Sequence, residues 1–347
     1  MTKRRSLLLI VCLSGSLLLS GCGGEETASS AEPRRFTTTF VSHMDTVVNF
    51  TAYCETSGDF DRASGIVSDT LAEADALYDR HSEESALSAL NRADGIFTEV
   101  PAPLSALLRS CQAWEAETGG VNLALGKVID LWQDAMRAPA LPDAAAIEAA
   151  RSSAEAASLE FSGELVRLTN PDAALDLGCV AKGAAADKAA DRLLDAGFAT
   201  FLLDCGTSSI RCAGIPPGRE GWTVALVNPD SRLNLSGTSS PAPTLGHLVL
   251  GDGSIGVSGD YQRYFTLDGE VYTHILDPNT GYPARFVRQV CVLTDSAARA
   301  DFLSTALFAQ PFETAWNTAQ TLPGTESLFV LMDGSVRKTA NFPLRSV

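Results

Sequence analysis

The chain has no C-x-x-C pair, four histidines, and far fewer basic than acidic residues, 26 Lys and Arg against 42 Asp and Glu. Each shortage removes a class of function. Without paired cysteines, a zinc ribbon or dithiol redox motif has no support. A net charge of -16 does not suit a nucleic-acid backbone, so no nucleic-acid partner is expected. It suits a soluble body and tolerates metal-binding carboxylates. No G-x-G-x-x-G follows a first strand, which leaves a dinucleotide-binding α/β fold unsupported. No internal repeat or low-complexity tract interrupts the body. After the first residues, no apolar run is long and pure enough to span a bilayer.

What is present begins at the amino terminus. Lys3, Arg4 and Arg5 precede the apolar run SLLLIVCLSGSLLLS, which closes on Leu19-Ser20-Gly21-Cys22. Positive charge, apolar run, small residues and cysteine in that order describe a lipoprotein export signal. Residues 1–21 are therefore expected to be removed and Cys22 to carry lipid. Each buried acyl methylene adds ~0.8 kcal/mol of membrane affinity. The expected location is a membrane surface, lipid-anchored, on the extracytoplasmic side. Residues 22–35 are small and polar and read as a flexible tether. The body runs over 36–347.

Within the body, FVSHMDTVVNFTAY reads as strand and SGIVSDTLAEADALYDRHS as an amphipathic helix. LSALLRSCQAWEAETGG is a helix stopped by Gly119-Gly120. LVRLTNPDAALDLGCV reads as two short strands around a turn, and AKGAAADKAADRLLDAG as a helix. Antiparallel strand segments from Trp222 onward precede the helix SAARADFLSTALFAQ, and Asp333-Gly334 reads as a hairpin turn. Blocks of helix among antiparallel strands predict an α+β body. The cysteines Cys54, Cys111, Cys179, Cys205, Cys212 and Cys291 are scattered, several in apolar runs, and suit small buried side chains. Disulfides between them cannot be assigned from sequence.

Four constellations carry chemistry. In Asp176-Leu-Gly-Cys179-Val-Ala-Lys182-Gly183 a strand ends, the chain turns at Gly178 and a helix starts. Amides at a helix start favour phosphate, Lys182 adds a point charge, and Asp176 can accept hydrogen bonds. The same residues serve equally as a strand-to-helix turn with a surface lysine. Ser258-Gly259-Asp260-Tyr261 taken alone reads as a polar turn. In Thr273-His274-Ile-Leu-Asp277-Pro-Asn-Thr-Gly281, a histidine near a carboxylate can steady phosphate charge or move a proton. The alternative is that Asp277 caps the turn and His274 packs on it. Asp301 and Thr305 share a helix face, and a carboxylate with a hydroxyl suits Mg²⁺. A cap and a back-bonded threonine fit the same spacing.

Taken in order, these segments resemble the ApbE-type FAD:protein FMN transferases, from about Thr39 to the end. The family's Asp-Leu-Gly-Gly-Ile-Ala-Lys-Gly is matched from Asp176 to Gly183, with Cys179 for a glycine. Ser258-Gly-Asp-Tyr, His274-Ile-Leu-Asp-Pro-Asn-Thr-Gly and Ala300-Asp301 through Thr305-Ala306 match its other blocks. Ser85, Ser88 and Asn91 meet its Ser-x-x-Ser-x-x-Asn. Departures are Asp45 for glycine after Met44, His81 at a position commonly tyrosine, Asn122 for an aspartate, and Asp204-Cys-Gly-Thr-Ser208 for Asn-x-Gly-Gly-Asp.

The resemblance implies an ApbE-like α+β fold and a binding site for FAD. Met44, Tyr78, His81, Gly120, Val121, Asn122, Asp176, Lys182, Ser258, Gly259, Asp260 and His274 are its implied ligands. His274 and Asp277 are the implied catalytic pair. Mg²⁺ is implied on Asp301, Thr305 and the backbone carbonyl of Cys179. The implied reaction moves FMN from FAD to a threonine or serine hydroxyl of an acceptor flavoprotein or membrane redox-complex subunit, releasing AMP. Two other outcomes use the same residues: hydrolysis of FAD to FMN and AMP, or FAD binding without catalysis.

Overall fold

Strand-forming Thr, Val and Phe dominate residues 34–54, but the chain folds back on itself within them. The computed structural model describes residues 32–233 and 242–346. The expected signal peptide, Cys22 and the tether up to residue 31 lie outside the described residues. Strand β1 (Arg34–His43) and β2 (Thr46–Cys54) form a hairpin whose turn is Met44-Asp45. Both turn residues take positive φ, 55° and 48°, the pairing that matches the twist of a tight hairpin. Helix α1 (Ser57–Tyr78) follows, capped by the Thr56 hydroxyl on Asp59 N at 3.1 Å.

Next come α2 (Ala86–Asn91), β3 (Thr98–Glu99), α3 (Ala102–Thr118), α4 (Gly126–Arg137) and α5 (Ala144–Glu155). A small hairpin, β4 (Leu159–Ser162) and β5 (Leu165–Leu168), pairs with β3. The second strand expected after it is a single bridge, Leu125 to Ala174. There the chain is held by side chains and by Asp176 N on Leu123 O rather than by a ladder. Helix α6 (Ala181–Asp195) leads into β6 (Phe201–Cys205) and β7 (Ser209–Ala213). Then come β8 (Trp222–Val227), β9 (Thr244–Leu250), β10 (Gly253–Gly259), β11 (Tyr264–Leu267), β12 (Glu270–Thr273) and β13 (Gln289–Thr294). The chain ends with α7 (Ala297–Phe308), α8 (Phe312–Ala319), β14 (Glu326–Val330) and β15 (Val336–Lys338).

The main sheet is antiparallel throughout, in the order β1-β2-β6-β7-β10-β13-β14-β15. Alternation along each strand feeds two faces. Val290 and Val292 pack toward α7, whereas Cys291 packs with the β8–β9 ribbon on the other side. Helices α1 and α6 cover β2 and β6 through Phe50, Leu71, Ala186 and Leu203. A larger core joins α2–α5 to α7. All six described cysteines are free thiols, and only Cys179 is not fully buried. Among the described residues no helix is long and apolar enough to cross a membrane.

Candidate functional site

Helix α7 lies directly on β10 and α6. Glycine makes both approaches possible, since a Cβ on Gly256 would lie 2.0 Å from Ala300 O and one on Gly183 2.1 Å from Ala297 O. This contact puts the Asp301 carboxylate, only 4% exposed, against the start of α6. Gly183 N donates to Asp301 Oδ2 at 3.1 Å, and Lys182 Nζ stands 3.5 Å from the same oxygen. Burial pushes the Asp301 carboxyl up, and Lys182 and the Gly183 amide pull it back. Expected phosphate capture by the α6 amides is narrowed accordingly: Gly183 N serves Asp301, and Ala181 N serves Leu177 O at 2.8 Å.

One turn along α7, Thr305 Oγ1 lies 3.2 Å from Ser258 Oγ, and Ser304 Oγ 2.9 Å from it. Both α7 hydroxyls also bond back to the Asp301 carbonyl, Ser304 at 3.0 Å and Thr305 at 3.3 Å, so the back-bonded threonine that the spacing allowed is present, and Ser304 joins the residues expected. An oxygen-only donor set around a desolvated carboxylate fits a hard divalent cation. Among the described residues no group of three or more His, Cys, Asp or Glu side chains gathers, so a nitrogen–sulfur cage is not on offer.

Half-buried His274 closes the same region. Its Nδ1 lies 3.0 Å from Arg263 O, and a carbonyl only accepts, so Nδ1 carries the hydrogen and Nε2 keeps its lone pair. Desolvation, with the charges of Arg263 and Lys182, lowers its pKa to about 4. In the ligand-free chain the neutral ring, with Nε2 unprotonated, is therefore the favoured form. Asp277 does not pair with it. Its Oδ1 accepts from Asn279 N at 2.9 Å and Asn279 Nδ2 at 3.0 Å, and its Oδ2 from Thr280 Oγ1 at 3.2 Å. Asp277 therefore organises its own turn, within the segment that carries His274.

Several expected flavin contacts are engaged elsewhere. Asp176 Oδ2 accepts from Arg80 Nε at 2.5 Å and its Oδ1 from Gly178 N at 2.8 Å. Arg80 also forks Asp130, with NH2 to Oδ1 at 2.5 Å. Asp260 takes Arg288 Nε at 2.6 Å, and that guanidinium, fully buried, also binds Asp230. Asp260 is thus half of a structural ion pair, and burial raises its pKa despite Arg288. Asn122 caps the turn before α4, with Oδ1 on Ala124 N at 2.8 Å and Nδ2 on Ala154 O at 3.3 Å. Gly120 is glycine for closeness: its φ is 74° and a Cβ would lie 2.1 Å from Ala306 O. Val121 beside it is half-buried on the larger core, and Gly259 abuts the Tyr261 ring.

Met44 and Tyr78 are both half-buried at the seam of the two helical cores, with Tyr78's phenol pushed up to about 12 by burial. His81 is exposed, its amide on Asp79 Oδ1 at 2.8 Å. The Ser85, Ser88 and Asn91 motif is scaffolding. Ser85 Oγ donates to Asp79 O at 2.5 Å and Ser88 Oγ to Arg80 O at 2.6 Å. Asn91 exchanges two bonds with Leu175, 2.7 and 3.0 Å, and so fixes the residue before Asp176. Lys182 Nζ in turn donates to Gly178 O at 3.2 Å, pinning the turn that carries Cys179.

A family model described as the ApbE family matches residues 44–329. The chain belongs to the ApbE family. An FAD:protein FMN transferase of Treponema pallidum is 30% identical over 288 residues, covering 78% of this chain and 77% of that one. One from Klebsiella pneumoniae is 29% identical, covering 71% and 75%. Among solved structures, the ApbE protein of Thermotoga maritima superposes with a TM-score of 0.78, at 24% identity, over 90% of this chain and all of that one. The flavin transferase ApbE of Vibrio cholerae gives 0.76 at 22% identity, over 90% and 98%. These two likenesses bear out the ApbE-like α+β fold. Arg80, Asp130, Arg263 and Ser304 are the site residues that motif spacing did not mark. Arg80, between α1 and the Ser85 cap of α2, carries no signature until the fold brings Asp130 and Asp176 to it.

Proposed function

We propose that this ApbE-family chain transfers FMN from FAD to a threonine or serine hydroxyl of an acceptor flavoprotein or membrane redox-complex subunit. The acceptor oxygen forms a bond to the FMN phosphorus, the bond from that phosphorus to the bridging oxygen breaks, and AMP leaves. The hydroxyl proton goes to His274 Nε2. The observation that carries this reading is the contact of Lys182 with Asp301 at the α6–α7 crossing, with Thr305 one turn on against Ser258 of β10, so that three separated motifs share one junction. Lys182 binds the diphosphate, and Met44 and Tyr78 offer apolar surface to the flavin. Asp301, Thr305 and the Cys179 carbonyl would hold Mg²⁺, which when bound neutralises diphosphate charge. Hydrolysis of FAD by water is the second reading, because a neutral His274 serves water as well as a hydroxyl.

The test is incubation of the chain with FAD, Mg²⁺ and candidate acceptors. Intact-mass measurement is expected to show an acceptor gain equal to one FMN phosphoester, with AMP released in equal amount. AMP without any acceptor gain would assign hydrolysis, and FAD bound with no AMP would leave a binding protein. The membrane location is also part of the proposal, and rests on Leu19-Ser20-Gly21-Cys22. Expressed with its leader, the wild type should enter the detergent phase and Cys22→Ser the aqueous phase. Aqueous partitioning of both would remove the lipid anchor.

A further inference from the structure

Arg263 stands between β10 and β11 and touches the site twice, in two directions. Its carbonyl accepts both His274 N at 3.1 Å and His274 Nδ1 at 3.0 Å. Its guanidinium reaches the tip of the β1–β2 hairpin, where NH2 donates to Asp45 O at 2.9 Å and NH1 lies 3.6 Å from Asp45 Oδ2. That tip is fixed on its other flank by α1: Asp75 accepts from Met44 N at 2.9 Å and contacts His43 Nδ1 at 2.8 Å. The tip is thus an anchored point, and Arg263 ties the segment bearing the His274 acceptor to it. The Asp45 carboxylate is 95% exposed, so the ion pair adds little and the bond to the Asp45 carbonyl does the fastening.

We propose that Arg263 is a positioning residue for His274: its side chain fastens the 260–264 segment to the hairpin tip, and its carbonyl thereby fixes the imidazole tautomer and leaves Nε2 free. The proposal rests on the transfer reading only for what Nε2 then does. Charge acts in the same sense. The charged groups facing the ring are Arg263 and, from α6, Lys182, and both oppose its protonation.

With four histidines in the chain, imidazole nitrogen NMR of the substrate-free protein reads this directly, and His274→Gln assigns the signal. The wild type is expected to show the Nδ1–H tautomer and to stay neutral down to about pH 4. Arg263→Met should give a mixed tautomer, because the 260–264 segment no longer holds its carbonyl on Nδ1. Arg263→Lys keeps the charge without the fork, so its tautomer should mix as well. Asp45→Gly keeps the accepting carbonyl and should preserve the tautomer. In transfer assays, Arg263→Met should lower kcat about ten- to hundredfold with the KM for FAD within about twofold. An unchanged tautomer in folded Arg263→Met and Arg263→Lys would overturn the proposal. Spectroscopic changes with unaltered kcat would instead uphold the positioning and refute His274 as the proton acceptor.

Discussion

Asp301 shows how one side chain can be costly to the fold and useful to the site. Its carboxylate is buried with a lysine 3.5 Å away and one amide bond, and its pKa is raised by desolvation. Were it only a structural group, asparagine would replace it with little loss, because the Gly183 amide still finds an oxygen. Asp301→Asn is therefore expected to fold with unchanged or slightly raised Tm, since an expensive buried charge is removed. AMP release should fall at least about a hundredfold, the scale of losing one preorganised electrostatic group. Near-wild-type AMP release would make Asp301 a packing residue. His274 makes a complementary pH statement. It is neutral in the fold down to about 4 but protonates in the unfolded chain near 6.5. Its contribution to stability is thus complete above pH 6.5 and is lost as pH falls from there toward 4.

At the scale of elements, the site is a crossing. Helix α6 gives α7 both a close contact and a cap. Gly183 admits the Ala297 carbonyl, and one turn later Asp187 accepts from Ala297 N at 2.8 Å, Ala298 N at 2.9 Å and Ser296 Oγ at 2.8 Å. The first glycine of the crossing also supplies the amide on Asp301. Gly183→Ala must push the helices apart, because the obstruction is backbone on both sides. Denaturant titration should show a loss of about 1–3 kcal/mol, and AMP release should drop with it. Full stability in that variant would mean that the crossing yields without cost. The sequence announced the elements here, since the Ala-rich run after Lys182 and the Ala300–Thr305 segment both read as helices, and Asp301 and Thr305 share a face as spacing required. It did not announce partners. Asp260 and Asn122 sit within motif positions yet satisfy Arg288 and a turn: the Arg288 donor comes from 28 residues on, and Asn122 bonds Ala124 N beside it and Ala154 O on α5. The β1–β2 turn was hidden for a different reason: Asp45 suits a turn, but Met44 does not and no glycine accompanies them, and Asp75 holds Met44 N at the tip.

Across the whole molecule, Arg80 adds a buried ionic tie among segments that the Leu125–Ala174 bridge and Asn91 on Leu175 already bring together. It stands in the α1–α2 connection, with its own carbonyl held by Ser88, and its side chain is 8% exposed. Its fork spans Asp130 on α4 and Asp176 before α6. Through Asp176 Oδ1 and Gly178 N it sets the turn that presents Cys179. Arg80→Met keeps most of the stem packing but leaves two carboxylates facing each other without a cation. Breaking a buried pair costs about 3–5 kcal/mol, and half-exposed Asp130 lowers this to about 2–3 kcal/mol. The double variant Arg80→Met, Asp176→Asn removes the most buried orphaned charge. It should recover part of that loss in urea titrations at pH 7, because asparagine can still accept from Gly178 N. If the single and double variants unfold at the same urea concentration, Arg80 and Asp176 are not coupled, and the turn before α6 is held by Asn91 and Lys182 alone.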